Sequence, residues 1–235
     1  MSAQGDYRLA AWMILWGVLL DKLDGTAARL MKATSKFGVE FDSFADFVVF
    51  GIAPAALVYY RVLSGWHLVG WYKLGLMAAS GLYALALAIR LSRFNITTGS
   101  EGVFFGFPGT LMGAAIASSY LTWDKHGLAE SLLMYYPPFL IVSAFLMVSN
   151  IRLPKIKARK SKAFNAFLGL NLVVGYICGP LMLFPEYLLA CAVTWAVGGV
   201  IYCLVVPEET PAVGADVPAE PAETEEEDAA QERLA

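Results

Sequence analysis

Seven apolar runs, each close to 20 residues long, leave this chain few folds to choose from. A hydrocarbon core of about 30 Å takes about 20 residues of α-helix to cross. Inside it every backbone N–H and C=O must be satisfied without water, which a helix does within its own segment. The runs predict spans at about 8–29, 38–61, 70–90, 104–122, 131–150, 164–183 and 185–206. The expected fold is therefore all-α, a polytopic transmembrane helix bundle of about seven spans over residues 1–206. Only 16% of the residues are charged, against about 25% in soluble domains. The first run leads straight into aspartates, so no cleavable signal peptide is expected.

The basic residues sort by side. Counting along the spans, Lys22, Arg29, Lys32, Lys36, Arg90, Arg93, Arg152, Lys155, Lys157, Arg159, Lys160 and Lys162 fall on one side, and Arg8, Arg61, Lys73 and Lys125 on the other. Twelve against four predicts an external N-terminus and a cytoplasmic richer side, in the cell (inner) membrane. The block 151–162 holds six of the twelve, and reads either as a topology-setting loop at anionic headgroups or as a phosphate site. His67 and His126 fall near Trp66 and Trp123 on the sparse side, as interfacial residues rather than metal ligands. Cys178, Cys191 and Cys203 lie in apolar runs without paired spacing and predict small buried side chains. Gly102/Gly106 and Gly175/Gly179 have the spacing that lets helices pack closely. Residues 207–235, with ten acids and one base, predict a disordered acidic tail without chemistry. No nucleic-acid partner is expected.

Four aspartates stand out against this background. Asp21 and Asp24 are three residues apart and Asp42 and Asp46 four apart, so each pair shares one helix face. If the two segments pack as neighbours, four carboxylates converge in a volume where like charges cannot all stay ionised alone. One such residue would read as a cap or a solvated interfacial charge. Four, with Gly25 and Gly38 beside them, point to a ligand site, since an ionisable group in a membrane segment needs a partner. Oxygen ligands without nearby His or Cys select hard cations such as Mg²⁺ or Mn²⁺. Two such ions about 4 Å apart would clamp a phosphoryl centre.

The pattern Asp-x2-Asp-Gly-x2-Ala-Arg-x8-Gly-x3-Asp-x3-Asp is met by Asp21, Asp24, Gly25, Ala28, Arg29, Gly38, Asp42 and Asp46. It resembles the signature of the CDP-alcohol phosphotransferase family of membrane enzymes. The resemblance implies a homodimeric helical enzyme with two divalent cations and a CDP-linked donor. Asp21, Asp24, Asp42 and Asp46 would hold the metals, and Gly25, Ala28, Arg29 and Gly38 would line the CDP site. Asp46 would double as the general base on the acceptor hydroxyl. Members of that family usually carry another helix before the first aspartate pair, and here twenty residues precede Asp21.

Within that family the surroundings resemble membrane-embedded phosphatidylserine synthases. The matching stretches are Thr34-Ser35-Lys36-Phe37-Gly38, Asp42-Ser43-Phe44-Ala45-Asp46, Phe50-Gly51-Ile52-Ala53-Pro54-Ala55, Arg93-Phe94-Asn95 and Gly106-Phe107-Pro108. The implied substrates are CDP-diacylglycerol, held among membrane lipids, and L-serine. For the serine carboxylate, Arg93 is the expected partner, with Asn95 beside it and Arg90 one turn earlier. Both arginines could instead anchor the helix at the headgroups. The alternatives are another acceptor (glycerol 3-phosphate, inositol phosphate or an amino alcohol) or, more remotely, a cation-coupled transporter. A transporter would more often show internal repeats and helices broken at mid-membrane; no internal repeat is visible here, and the aspartates cluster at one face.

Overall fold

A computed structural model of the chain describes residues 1–30, 35–96, 103–154 and 162–205. The acidic tail, Lys32, Gly102 and most of the basic block lie outside the described residues. The elements run α1 (Tyr7–Leu30), α2 (Lys36–Asp46), a π turn (Phe47–Ile52), α3 (Ala53–Trp66), α4 (Gly70–Ile96), β1 (Val103–Phe105), α5 (Gly109–Lys125), α6 (Tyr136–Val148), β2 (Arg152–Pro154), α7 (Lys162–Cys178) and α8 (Pro185–Val205). Two continuous helical stretches, Phe37–Trp66 and Gly70–Asn95, are long and apolar enough to cross a membrane.

Ser35 starts α2 from an extended backbone, and its Oγ accepts from the Gly38 N–H at 3.0 Å. That side-chain cap satisfies one of the orphan donors of the first turn. At the far end of α3, His67 turns left-handed (φ 48°) and its N–H closes on the Leu63 carbonyl. The core lies where α1, α3, α4, α5 and α6 meet, around Ala11, Leu57, Val62, Tyr83, Ile116 and Leu140. The outer surface is also apolar: Phe37 and Trp71 are 78% and 85% exposed. A hydrophobic interior and an equally hydrophobic exterior fit a helix bundle solvated by lipid.

Charged side chains pair near one end of the bundle. There Arg8 pairs with Asp124 (3.3 Å), Lys125 with Glu186 (2.6 Å), and Arg61 with Glu130. His126 also meets Glu186. The aspartates, Arg90 and Arg93 sit at the other end. Cys178 is buried and Cys191 half-buried, and both are free thiols.

The described residues are predominantly helical, as expected, with one short addition: β1 and β2 pair antiparallel, Val103 opposite Pro154 and Phe105 opposite Arg152. Two sequence expectations change. The run expected to span from residue 104 becomes helical only at Gly109, after Pro108 in extended conformation. The reason is Gly106, left-handed at φ 72°, whose N–H bonds the Ile151 carbonyl at 2.8 Å. A Cβ there would overlap the Met147 carbonyl. Gly106 therefore serves a tight turn and a close backbone approach, not helix-on-helix packing. Of the other glycine pair, Gly179 lies just past the end of α7, where a methyl would overlap Leu19 of α1, whereas Gly175 faces open space.

Candidate active site

α1 ends and α2 begins at the same end of the bundle, and this brings the two aspartate pairs together. Ligand atoms of Asp21, Asp24 and Asp42 lie within 4.8 Å of one another. Asp21 is half-buried and the other two are exposed. The Asp24 Oδ1 also accepts from the Gly25 N–H at 2.6 Å, which fixes its rotamer. Asp46, one turn beyond Asp42 on α2 and half-buried, stands outside that triad. It is within electrostatic reach of Asp21, Asp42 and Arg90. Three carboxylates this close, with water on one side, suit a hard cation by ligand type and spacing.

The glycines leave room beside the acids. A Cβ at Gly25 would meet nothing within 4 Å, and one at Gly38 would meet only the Ser35 Oγ at 3.1 Å. Ala28 and Arg29 fall on the last turns of α1, and their side chains lie outside the described residues.

The C-terminal turns of α4 reach α2 through Asn95 and Arg90. The Arg93 Nη1 donates to the Val148 carbonyl at 2.8 Å and Nη2 to the Asn150 Oδ1 at 2.9 Å. The last carbonyls of a helix have no intrahelical partner, so Arg93 satisfies the end of α6 and holds it to α4. The Asn95 Nδ2 donates to the Ser43 Oγ at 3.1 Å, on the turn of α2 between Asp42 and Asp46. The Arg90 Nε is buried without a hydrogen-bond partner among the described residues. Sequence reading had given no role to Ser43 or Asn150. Ser43 lies within a recognised motif, but nothing local marks either as the partner of an α4 side chain.

Comparison with known proteins converges with this geometry. A family model described as CDP-alcohol phosphatidyltransferase matches residues 1–152. The chain is 34% identical over 192 residues to a CDP-diacylglycerol–serine O-phosphatidyltransferase of Helicobacter pylori, covering 72% of this chain and 78% of that one. A protein of the same name from Methanocaldococcus jannaschii is 31% identical over 189 residues, with 80% and 81% covered. An archaetidylserine synthase of Methanothermobacter thermautotrophicus is 32% identical over 158 residues, with 66% and 62% covered.

Proposed function

Because this chain belongs to the CDP-alcohol phosphatidyltransferase family, we propose that it transfers the phosphatidyl group of CDP-diacylglycerol to the hydroxyl of L-serine, giving phosphatidylserine and CMP. The observation that carries the reading is the triad of Asp21, Asp24 and Asp42 within 4.8 Å, with Asp46 one turn beyond and within reach of Arg90 of α4. Serine as acceptor draws support from the names of all three relatives.

Two divalent cations, Mg²⁺ or Mn²⁺, would neutralise the donor pyrophosphate and the charge on departing CMP when bound. Asp21, Asp24 and Asp42 would hold them, with Asp46 completing the set. Gly25 and Gly38 would leave room for the CDP moiety, for which the family motif also supplies Ala28 and Arg29. Asp46 takes the proton of the serine hydroxyl as its oxygen attacks the phosphorus bearing the diacylglycerol. The bond to CMP breaks, and CMP leaves with the electron pair. No covalent enzyme intermediate is needed. The test is to incubate membranes containing the chain with CDP-diacylglycerol and labelled serine. Label in phosphatidylserine with matching CMP release is expected; CMP release that follows glycerol 3-phosphate or inositol phosphate instead would reassign the acceptor.

At the acceptor, the Arg93 guanidinium, which already donates to the Val148 carbonyl and the Asn150 Oδ1, would turn its remaining N–H groups to the serine carboxylate, with Asn95 alongside and Arg90 one turn earlier. A lysine cannot reproduce two parallel charge-assisted bonds. Arg93→Lys is expected to raise the KM for serine about tenfold, the loss of roughly one such bond, and to leave that for CDP-diacylglycerol unchanged. If the donor weakens and serine is spared, Arg93 belongs to the phosphate side.

The reading extends to seven spans in the cell (inner) membrane, an external N-terminus, a cytoplasmic active site and a homodimer. An impermeant thiol reagent should reach a cysteine at position 67 only from outside and one at position 157 only from inside. The opposite pattern would invert the topology, and a monomeric mass in detergent would remove the dimer.

A further inference from the structure

The helix that carries Asp42 and Asp46 does not run on smoothly. The residue after Asp46 opens a π turn, Phe47–Ile52, in which the Ala53 N–H reaches back five residues to the Val48 carbonyl. Pro54 supplies a cause. In an α-helix the Phe50 carbonyl would be met by the N–H of residue 54, which proline lacks, and the ring would press on that carbonyl. The wide turn relieves the clash, and a side chain from another helix meets the carbonyl. The Tyr83 hydroxyl, on α4 and wholly buried, donates to the Phe50 oxygen at 2.9 Å.

A wide turn absorbs an extra residue, and one residue corresponds to about 100° around a helix axis. The face of α3 is fixed by its buried Leu57, Val58 and Val62. The direction in which Asp42 and Asp46 leave α2 is therefore set by the π turn. Glycines on two other helices let it seat closely: a Cβ at Gly17 would overlap Val49, and one at Gly113 would press on Phe50 at 3.2 Å. Tyr83 contributes a directional bond to this packing from outside the turn's own helix.

We propose that Tyr83 is a positioning residue for the transfer reaction: its hydroxyl holds the Phe50 carbonyl of the π turn and so sets the direction of Asp42 and Asp46. The inference rests on the phosphatidyl-transfer reading above. It also gives the Phe50–Ala55 stretch a task, since Phe50, Gly51 and Pro54 build the turn.

Tyr83→Phe removes only the hydroxyl. A small misalignment of reacting groups can cost about a hundredfold in rate, and kcat is expected to fall at least about tenfold on that scale. The KM for serine should change less than kcat, because the Arg93 contact to its carboxylate runs through α4, even though Asn95 also meets Ser43 of α2. Mn²⁺ binding, read from the free-ion electron paramagnetic resonance signal without substrate, should weaken severalfold in the folded protein. Pro54→Ala restores the missing N–H and provides the second variant. It should convert the π turn toward α-helix and weaken Mn²⁺ binding while Tyr83 remains. Normal kcat and Mn²⁺ affinity in folded Tyr83→Phe would overturn the proposal, as would normal Mn²⁺ affinity in Pro54→Ala if Tyr83→Phe does not fold. Absence of phosphatidylserine from the wild-type chain would instead count against the acceptor assignment, because Mn²⁺ binding reads the alignment of the aspartates whatever the acceptor.

Discussion

Alanine at Asp21, Asp24 or Asp42 is expected to abolish turnover, each variant falling at least about a hundredfold, more than the usual loss from altering an outer partner of a metal site. The three side chains offer oxygens within 4.8 Å of one another, so removing any one leaves a hard cation short of a ligand against an anionic pyrophosphate. Donor affinity should fall together with rate, since the same charge balance holds the ground state. A chelator should silence the wild-type enzyme and added Mn²⁺ or Mg²⁺ should restore it. Phosphatidyl transfer that continues at full rate in excess chelator would sink the metal assignment for all four aspartates. Little loss of stability is expected at Asp24 and Asp42, because both are exposed and surface substitutions usually cost under about 0.5 kcal/mol.

Asp46→Asn separates the base from the ligand. Asparagine keeps the size and one ligating oxygen but cannot take a proton. The expected result is a kcat reduced about a hundredfold or more, the scale of general-base contributions, with the KM for CDP-diacylglycerol changed far less. Equal losses in both would make Asp46 a metal ligand only. The geometry motivates the split: Asp46 stands outside the close triad, half-buried and one turn deeper along α2, beside the π turn and within reach of Arg90.

Much of this site is legible in sequence because its pieces are local. Three- and four-residue spacings put Asp21 with Asp24, and Asp42 with Asp46, on one face each by helix geometry alone. Apolar run length predicts where helices lie, and the described α1, α4, α7 and α8 fall close to the expected segments. Ser35 as the start of α2 follows from its small hydroxyl ahead of a helix-forming stretch. Propensity fails where two distant segments compete for the same backbone groups. Phe104 and Phe105 read as the beginning of an apolar helix, yet their hydrogen bonds go to residues near 152, and Gly106 turns the chain before α5 can start.

What the sequence alone determined, then, is which carboxylates share a face and which runs are apolar. Tertiary structure decided how far apart the two faces stand and how they are rotated. The closeness of Asp21 to Asp42 depends on α1 and α2 meeting at one end of the bundle. The heading of Asp42 and Asp46 depends on a wide turn held by Tyr83, which lies 33 residues from the carbonyl it binds. Arg93 and Asn95 look alike in sequence, two polar residues at a helix end. Packing sends one to α6 and the other to α2. Helical periodicity fixes angles within a segment, whereas rotation and depth between segments are set by which side chains interlock across the core, and no local spacing encodes that.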